Sequence, residues 1–171
     1  MVKRLCCLFI SMLFFAAPFA FAENEEPFVR YFDNANVLEQ DHPESNPFGG
    51  LIDAGMANIE NVRSSQGWDF AVLTIDDFIG INTHAPLADA FYQSMGLGIG
   101  EDCSGALMII DTNQKMFYLH LVGKCKDWIT NDKLQQLENE LSFNLRTEHY
   151  LLLPLQCMTF IEKERHDFLS R

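Results

Sequence analysis

The stretch of residues 106–122, ALMIIDTNQKMFYLHLV, decides the fold of this chain. Its first part, Ala106–Ile110, is an unbroken apolar run, and its last part, Met116–Val122, is rich in aliphatic and aromatic residues. The polar residues 112–115 between the two runs have the composition of a turn. Two such runs joined by a short polar turn predict a β-hairpin with antiparallel strands.

Outward from this hairpin, apolar runs alternate with helical patterns. The run Trp68–Ile75 predicts a buried strand, because its middle is continuously apolar, and Val29–Phe32 predicts a shorter strand. Apolar residues at helical spacing predict four helices. They are Leu51–Ser65, Thr83–Met95, one that begins at Thr130 or Asn131, and one from Tyr150 towards Phe168. In the second helix, Leu87, Phe91 and Met95 are predicted to face inward. Strands separated by helices of this length are joined by right-handed crossovers and lie parallel. The sequence therefore predicts an α/β fold, a three-layer α/β/α sandwich whose mostly parallel central sheet carries an antiparallel hairpin at Ala106–Val122.

The first residues have the pattern of a signal peptide. Lys3 and Arg4 form a short basic region, Leu5–Ala17 is an apolar run broken by one serine, and Ala20 and Ala22 supply the small residues of a cleavage site. An uncleaved membrane anchor is the alternative, but the apolar run is short for a spanning helix. We therefore expect export, cleavage after residue 22, and a soluble product in the periplasm or the medium.

The mature protein is expected to comprise a polar leader, residues 23–28, and a single domain, residues 29–171. Removal of Lys3 and Arg4 leaves 10 basic residues against 24 acidic ones, a net charge of −14. Such a surface repels nucleic acid and anionic lipid and attracts cations and basic partners. Nucleic-acid binding is therefore excluded.

Short motifs in a fixed order link the chain to a known family. They are Phe32–Leu38, Phe70–Ile75, Gly96–Gly98, Ser104–Ile110, Leu121–Gly123, Trp128–Asp132 and the closing helix after Tyr150. In order and spacing, over residues 29–162, the chain resembles the TPM domain family. The resemblance implies an α/β/α sandwich that works outside the cytoplasm. It also implies one of three activities known in the family: acid phosphatase, binding of calcium or another divalent cation, or an accessory role towards a protein partner at the membrane or in the envelope.

Two departures from the family pattern argue against phosphatase activity. A glycine pair usual after the fourth strand is here Gly123 followed by Lys124, and an arginine usual after the third strand is here Lys115. Lysine lacks the planar fork with which arginine binds phosphate in two places. No Cys-x5-Arg loop is present either, so phosphatase activity would need a bound cation.

Acidic residues follow the predicted strands directly. Asp33, Asp76, Asp77 and Asp111 each stand where a strand ends. Ligands of parallel sheets collect beyond the carboxyl ends of the strands, and Ca²⁺ or Mg²⁺ requires several carboxylate and carbonyl oxygens. These four residues are therefore the candidate ligands of a divalent cation. The alternative is that they are ordinary solvated turn residues of an acidic protein.

Three cysteines remain after export, and two of them lie near the ends of the hairpin. The turn is centred between residues 113 and 114, so antiparallel pairing places Cys103 opposite Lys124, one position from Cys125. A small adjustment would bring the two Cα atoms within the roughly 4.4–6.8 Å that a disulfide needs. We predict a Cys103–Cys125 bridge, with two unpaired thiols as the alternative, and a buried apolar role for Cys157.

The five histidines show no pair at ligand spacing, and we interpret them as surface or helix-end residues. The combined prediction is an exported TPM-like domain that binds a divalent cation and acts as an accessory or interaction module. The alternatives are a cation-dependent acid phosphatase and a scaffold without a site.

Overall fold

The computed structural model describes residues 30–38, 50–76 and 84–171. The predicted signal peptide, residues 1–22, and the polar leader, residues 23–28, lie outside these ranges. So does Asp77, one of the four candidate cation ligands.

The described part of the chain forms one four-stranded sheet in the order β1-β2-β3-β4. The strands are β1 (Tyr31–Asp33), β2 (Asp69–Ile75), β3 (Gly105–Asp111) and β4 (Met116–Val122). The first two pairings are parallel and the third is antiparallel. Gly105 pairs with Val122 and Asp111 with Met116, so the predicted hairpin and the centre of its turn are confirmed.

Helices cover both faces of this sheet, which confirms the three-layer α/β fold. They are α1 (Gly50–Asn61), α2 (His84–Ser94), the short α3 (Cys125–Trp128), α4 (Asn131–Arg146) and α5 (Leu153–Leu169). A π-helical turn, Val62–Gln66, extends α1, and a 3₁₀ turn, Tyr150–Leu152, precedes α5. Of the two residues predicted for the start of α4, Thr130 is the cap, since its hydroxyl accepts a hydrogen bond from the backbone N–H of Lys133.

The alternation of side chains along β2 and β3 divides the apolar core in two. Residues such as Val72 and Ile110 face the larger cluster, which the helices α1, α4 and α5 and their neighbouring turns complete. Residues such as Leu73 and Ile109 face a smaller cluster beneath α2. Both strands are buried along their whole length, as expected for central strands covered on two sides.

The inward face of α2 differs in part from the prediction. Leu87 and Phe91 are partly buried against the smaller cluster, but the fully buried residues of the helix are His84, Ala88 and Tyr92. Met95, predicted to face inward, is 44% exposed. The helix ends at Ser94, so its last turn no longer carries the next side chain over the sheet.

Candidate functional site

The carboxyl ends of the three parallel strands bring three of the four predicted aspartates to one edge of the sheet. Asp33 is level with Thr74 of β2, and Asp111 of β3 is level with Ile75. Asp76 follows β2 directly and is exposed. With neighbouring strands about 4.8 Å apart, the Cα atoms of Asp33 and Asp111 lie on the order of 10 Å from each other.

Asp33 organises the turn that follows β1. Its carboxylate accepts hydrogen bonds from the backbone N–H groups of Val37 (3.1 Å) and Leu38 (2.8 Å). The hydroxyl of Thr74 donates a third bond at 2.5 Å and accepts one from the N–H of Ala35. The carboxylate is therefore held in one position by the chain around it.

Asp111 is buried, and it lies in a second and separate network. Its carboxylate accepts hydrogen bonds from the backbone N–H and the side-chain amide of Gln114, both at 2.9 Å. The Nε2 atom of His84 lies 3.0 Å from Oδ2 of Asp111, and both side chains are almost completely buried. The ring of His84 also stacks on Tyr118 of β4, with centroids 6.3 Å apart.

His84 is a helix-end residue, as one of the two interpretations of the histidines has it, but it is not a surface residue. It does begin α2, but it is only 1% exposed and pairs with a candidate site residue. One feature of the sequence points to this burial. Asp111 lies two and four residues after Ile109 and Leu107, so its side chain points to the same face of the sheet, the face that α2 covers. What the sequence could not supply is the position of the helix above β3.

The same alternation places Asp33 and Asp111 on opposite faces of the sheet. Asp33 bonds Thr74 on the face of the larger core, whereas Asp111 bonds His84 on the face of α2. Within residues 30–38, 50–76 and 84–171, no three His, Cys, Asp or Glu side chains form a group that could hold a metal ion. The cation site over Asp33, Asp76, Asp77 and Asp111 therefore stays a prediction. An ion shared by Asp33 and Asp111 would have to lie beyond the strand ends, where Asp76 follows β2.

The three cysteines that follow the predicted signal peptide are free thiols in the structure. Cys103 is exposed, while Cys125 and Cys157 are buried. Burial raises the pKa of Cys125 to about 12, with the nearby Asp102 carboxylate acting in the same direction, and burial also raises the pKa of Cys157. The buried apolar role of Cys157 is confirmed, and the Cys103–Cys125 bridge stays a prediction.

Lys115 stands where the family pattern has an arginine. An ion pair with a carboxylate occupies its ammonium group, which argues against a role in binding phosphate. Its ammonium lies 2.7 Å from the carboxylate of Glu148 in the turn after α4, and both side chains are about half exposed. Hydrogen bonding to this carboxylate raises the pKa of Lys115. The residue therefore ties the hairpin turn to the helical layer.

Comparison with known proteins agrees with this architecture. The chain matches the family model named TPM phosphatase, described as the TPM domain, over residues 32–151. No match was found among curated proteins. Among the part of the chain that the structure describes, no helix is long and apolar enough to cross a membrane.

Two solution structures share the fold. The N-terminal domain of a P. gingivalis protein is 20% identical, with a TM-score of 0.57 over 77% of this chain and 79% of that one. The N-terminal domain of the cg2496 protein of Corynebacterium glutamicum is 14% identical, with a TM-score of 0.53 over 78% and 77% of the two chains. The family model covers more than two thirds of the sequence, and this chain belongs to the TPM domain family.

Proposed function

We propose that this chain is an exported TPM domain that binds a divalent cation at the acidic edge of its sheet and acts as an accessory or interaction module. The observation that carries the proposal is the strand register, which brings Asp33, Asp76 and Asp111 to the carboxyl ends of neighbouring parallel strands. This is the edge at which ligands of open α/β sheets bind.

Charge supports a cation at this edge. Asp76 is exposed, and no cationic group lies within 4.0 Å of its carboxylate in the described ranges. The formal net charge of the chain is −12, so the protein attracts cations as a whole. Ca²⁺ and Mg²⁺ prefer the carboxylate oxygens that the edge offers.

Thermal unfolding in the presence of calcium or magnesium tests the proposal. Extracellular calcium modules have dissociation constants of about 10⁻⁴–10⁻³ M, so 10 mM Ca²⁺ should add about 1.4–2.7 kcal/mol to the free energy of unfolding. For a domain of this size that corresponds to a rise in Tm of roughly 3–10 °C. Asp76→Asn should reduce the rise, whereas Asp127→Asn, at an exposed position of α3 beyond the opposite end of the sheet, should leave it unchanged.

A Tm that neither cation alters would remove the cation from the proposal and leave a scaffold without a site. An equal response of the Asp76→Asn and Asp127→Asn variants would place the cation elsewhere. The accessory role is tested separately, by capture of partners from an envelope extract with and without calcium. Capture that neither calcium nor Asp76→Asn affects would separate the interaction from the acidic edge.

A second candidate is a cation-dependent acid phosphatase, and the buried His84–Asp111 pair favours it. The pair lies 3.0 Å apart beside the same edge, and a carboxylate that orients an imidazole is a common arrangement in general acid–base catalysis. The family model also carries the word phosphatase in its name. A bound cation would orient the phosphate and activate water.

Hydrolysis of an aryl phosphate at acidic pH distinguishes this candidate. Phosphate release that requires Mg²⁺ or Ca²⁺ and is lost in Asp111→Asn, but not in Asp127→Asn, would establish it. The Tm of each variant must be measured alongside, so that loss of the fold is not taken for loss of activity. Absence of hydrolysis in the wild-type protein with either cation would exclude it.

A further inference from the structure

A cavity of about 490 Å³ lies at the end of the sheet opposite to the acidic edge. Its walls come from the second half of α2, the loop that follows, the end of β4 and α3, with Asp89, Tyr92, Leu97, Cys103, His120 and Lys126 among the lining residues. The seven residues of β3 span about 20 Å between the two ends of the sheet. The cavity is therefore distinct from the proposed cation site, and its volume is within the range of small-molecule sites.

The walls of the cavity are fixed by buried contacts. The hydroxyl of Tyr92 donates a hydrogen bond of 3.0 Å to the carbonyl oxygen of Cys103. The backbone N–H of Gly98 donates one of 2.9 Å to the carboxylate of Asp69, which also pairs with Arg30 at 3.2 Å. These bonds tie the loop after α2 to the sheet, so the cavity exists before a ligand enters.

Opposite charges line the cavity together with His120. Nε2 of His120 lies 3.3 Å from Oδ1 of Asp89, and its ring meets the ring of Tyr92 edge-on at 5.6 Å. Burial lowers the pKa of His120, Asp89 partly offsets this, and the charge of Lys126 lowers it further. The imidazole is therefore neutral near pH 7, and the fixed charges of the cavity are the carboxylate of Asp89 and the ammonium of Lys126.

The two charges do not neutralise each other. Across the described ranges, no carboxylate lies within 4.0 Å of the Lys126 ammonium. The Asp89 side chain is 64% exposed and contacts His120 on one side only. Leu97, 3% exposed, and Val122 supply apolar surface in the same cavity.

We propose that this cavity binds a free α-amino acid with an apolar side chain. The ligand's ammonium group would pair with Asp89 and its carboxylate with Lys126, while its side chain would cover Leu97 and Val122. A neutral His120 in the same cavity can donate to or accept from the ligand without adding a third charge. The proposal does not depend on the cation site or on the accessory role.

Calorimetric titration of the purified protein with leucine, N-acetyl-leucine and leucinamide tests this assignment. Acetylation removes the ligand's positive charge and amidation removes its negative charge, so each blocked form should bind at least 10-fold more weakly than leucine. Asp89→Asn and Lys126→Gln should each weaken leucine at least 10-fold. Asp132→Asn and Arg171→Gln, which change the same charges away from the cavity, should not.

The alkylation rate of Cys103 gives a second readout, because this exposed residue lines the cavity. In the reduced protein, leucine should slow modification of this cysteine by iodoacetamide, measured by peptide mass spectrometry, and should lose this effect in Lys126→Gln. Either a blocked form that binds as tightly as leucine, or absence of both heat and protection at 10 mM leucine, would overturn the proposal.

Discussion

Replacement of Asp111 by alanine removes the acceptor for three donors at once. Two are the backbone and side-chain N–H groups of Gln114, which is partly exposed and can turn to water at a cost of about 0.5–1.5 kcal/mol each. The third is the imidazole of His84, which is 1% exposed and would lose this buried partner, at about 1–3 kcal/mol. The three contributions together give an expected loss of about 2–6 kcal/mol.

Asp111→Asn should be milder, because its amide oxygen still accepts one bond and the imidazole can change tautomer to face the amide nitrogen. We expect a loss of about 1–3 kcal/mol for this variant. Glu138→Ala is the matched control, since it removes an exposed carboxylate from the middle of α4, and its effect should lie within about 0.5 kcal/mol of zero.

Urea unfolding with EDTA present measures these free energies without any contribution from bound cations. Tryptophan fluorescence reports the transition, because Trp68 is fully buried and Trp128 is 8% exposed in the folded protein. The expected loss for Asp111→Ala corresponds to a Tm lower by roughly 4–24 °C. A loss below about 1 kcal/mol, or one no larger than that of Glu138→Ala, would refute the assigned role of the His84–Asp111 pair.

Three further changes test other parts of the structure. Burial alone would raise the pKa of Glu164, but hydrogen bonds from Lys133 and a neighbouring lysine lower it below its usual value. Glu164→Gln should therefore cost about 1–2 kcal/mol of the free energy of unfolding near neutral pH. This cost should become smaller as the pH falls through the pKa of Glu164 in the folded protein, because the wild-type carboxylate then becomes protonated. In the reduced, folded protein Cys103 should react with Ellman's reagent at pH 8, whereas Cys125, with its pKa raised to about 12, should not. Gly105→Ala should cost about 1–3 kcal/mol, because its Cβ would lie 2.9 Å from a carbonyl oxygen of β2 and would meet the hydroxyl of a buried tyrosine.

Each of these outcomes has a direct measurement. For Glu164→Gln it is urea unfolding from pH 3 to pH 7, and a difference from wild type that is independent of pH would contradict the ion-pair assignment. For the thiols it is peptide mapping after labelling. A blocked Cys103 in non-reduced protein would instead support the predicted disulfide. For Gly105→Ala it is thermal unfolding, and an unchanged Tm would show that the neighbouring side chain moves aside without cost.

The layers of the fold follow from patterns that act over a few residues. The hairpin could be predicted because its two strands and its turn are adjacent in the sequence, so the register depends on the turn alone. The parallel strands could be predicted from the helices between them, since a right-handed crossover leaves few alternatives. The prediction that Met95 faces inward was wrong because the helical spacing of apolar residues continues past Ser94, where the helix ends.

The candidate site could be predicted only as far as its edge. The sequence places aspartates after three strands. The face of the sheet to which each side chain points depends on the alternation of side chains along its strand and on how the strands are aligned. Asp33 and Asp111 use opposite faces for that reason. The burial of His84 depends on where α2 crosses β3, a contact between segments 27 residues apart that no local pattern specifies.

The two apolar clusters differ in size, and α2 covers the smaller one. The backbone amides of α2 should therefore exchange with solvent before those of the strands beneath it, because fewer apolar contacts must be broken for the helix to open. This one helix begins with His84 at the acidic edge and carries Asp89 to the cavity at the other end. Both proposed ligands would thus contact the helix that is held by the smaller apolar cluster. Binding of the cation at one end or of the amino acid at the other should therefore slow amide hydrogen exchange along the whole of α2.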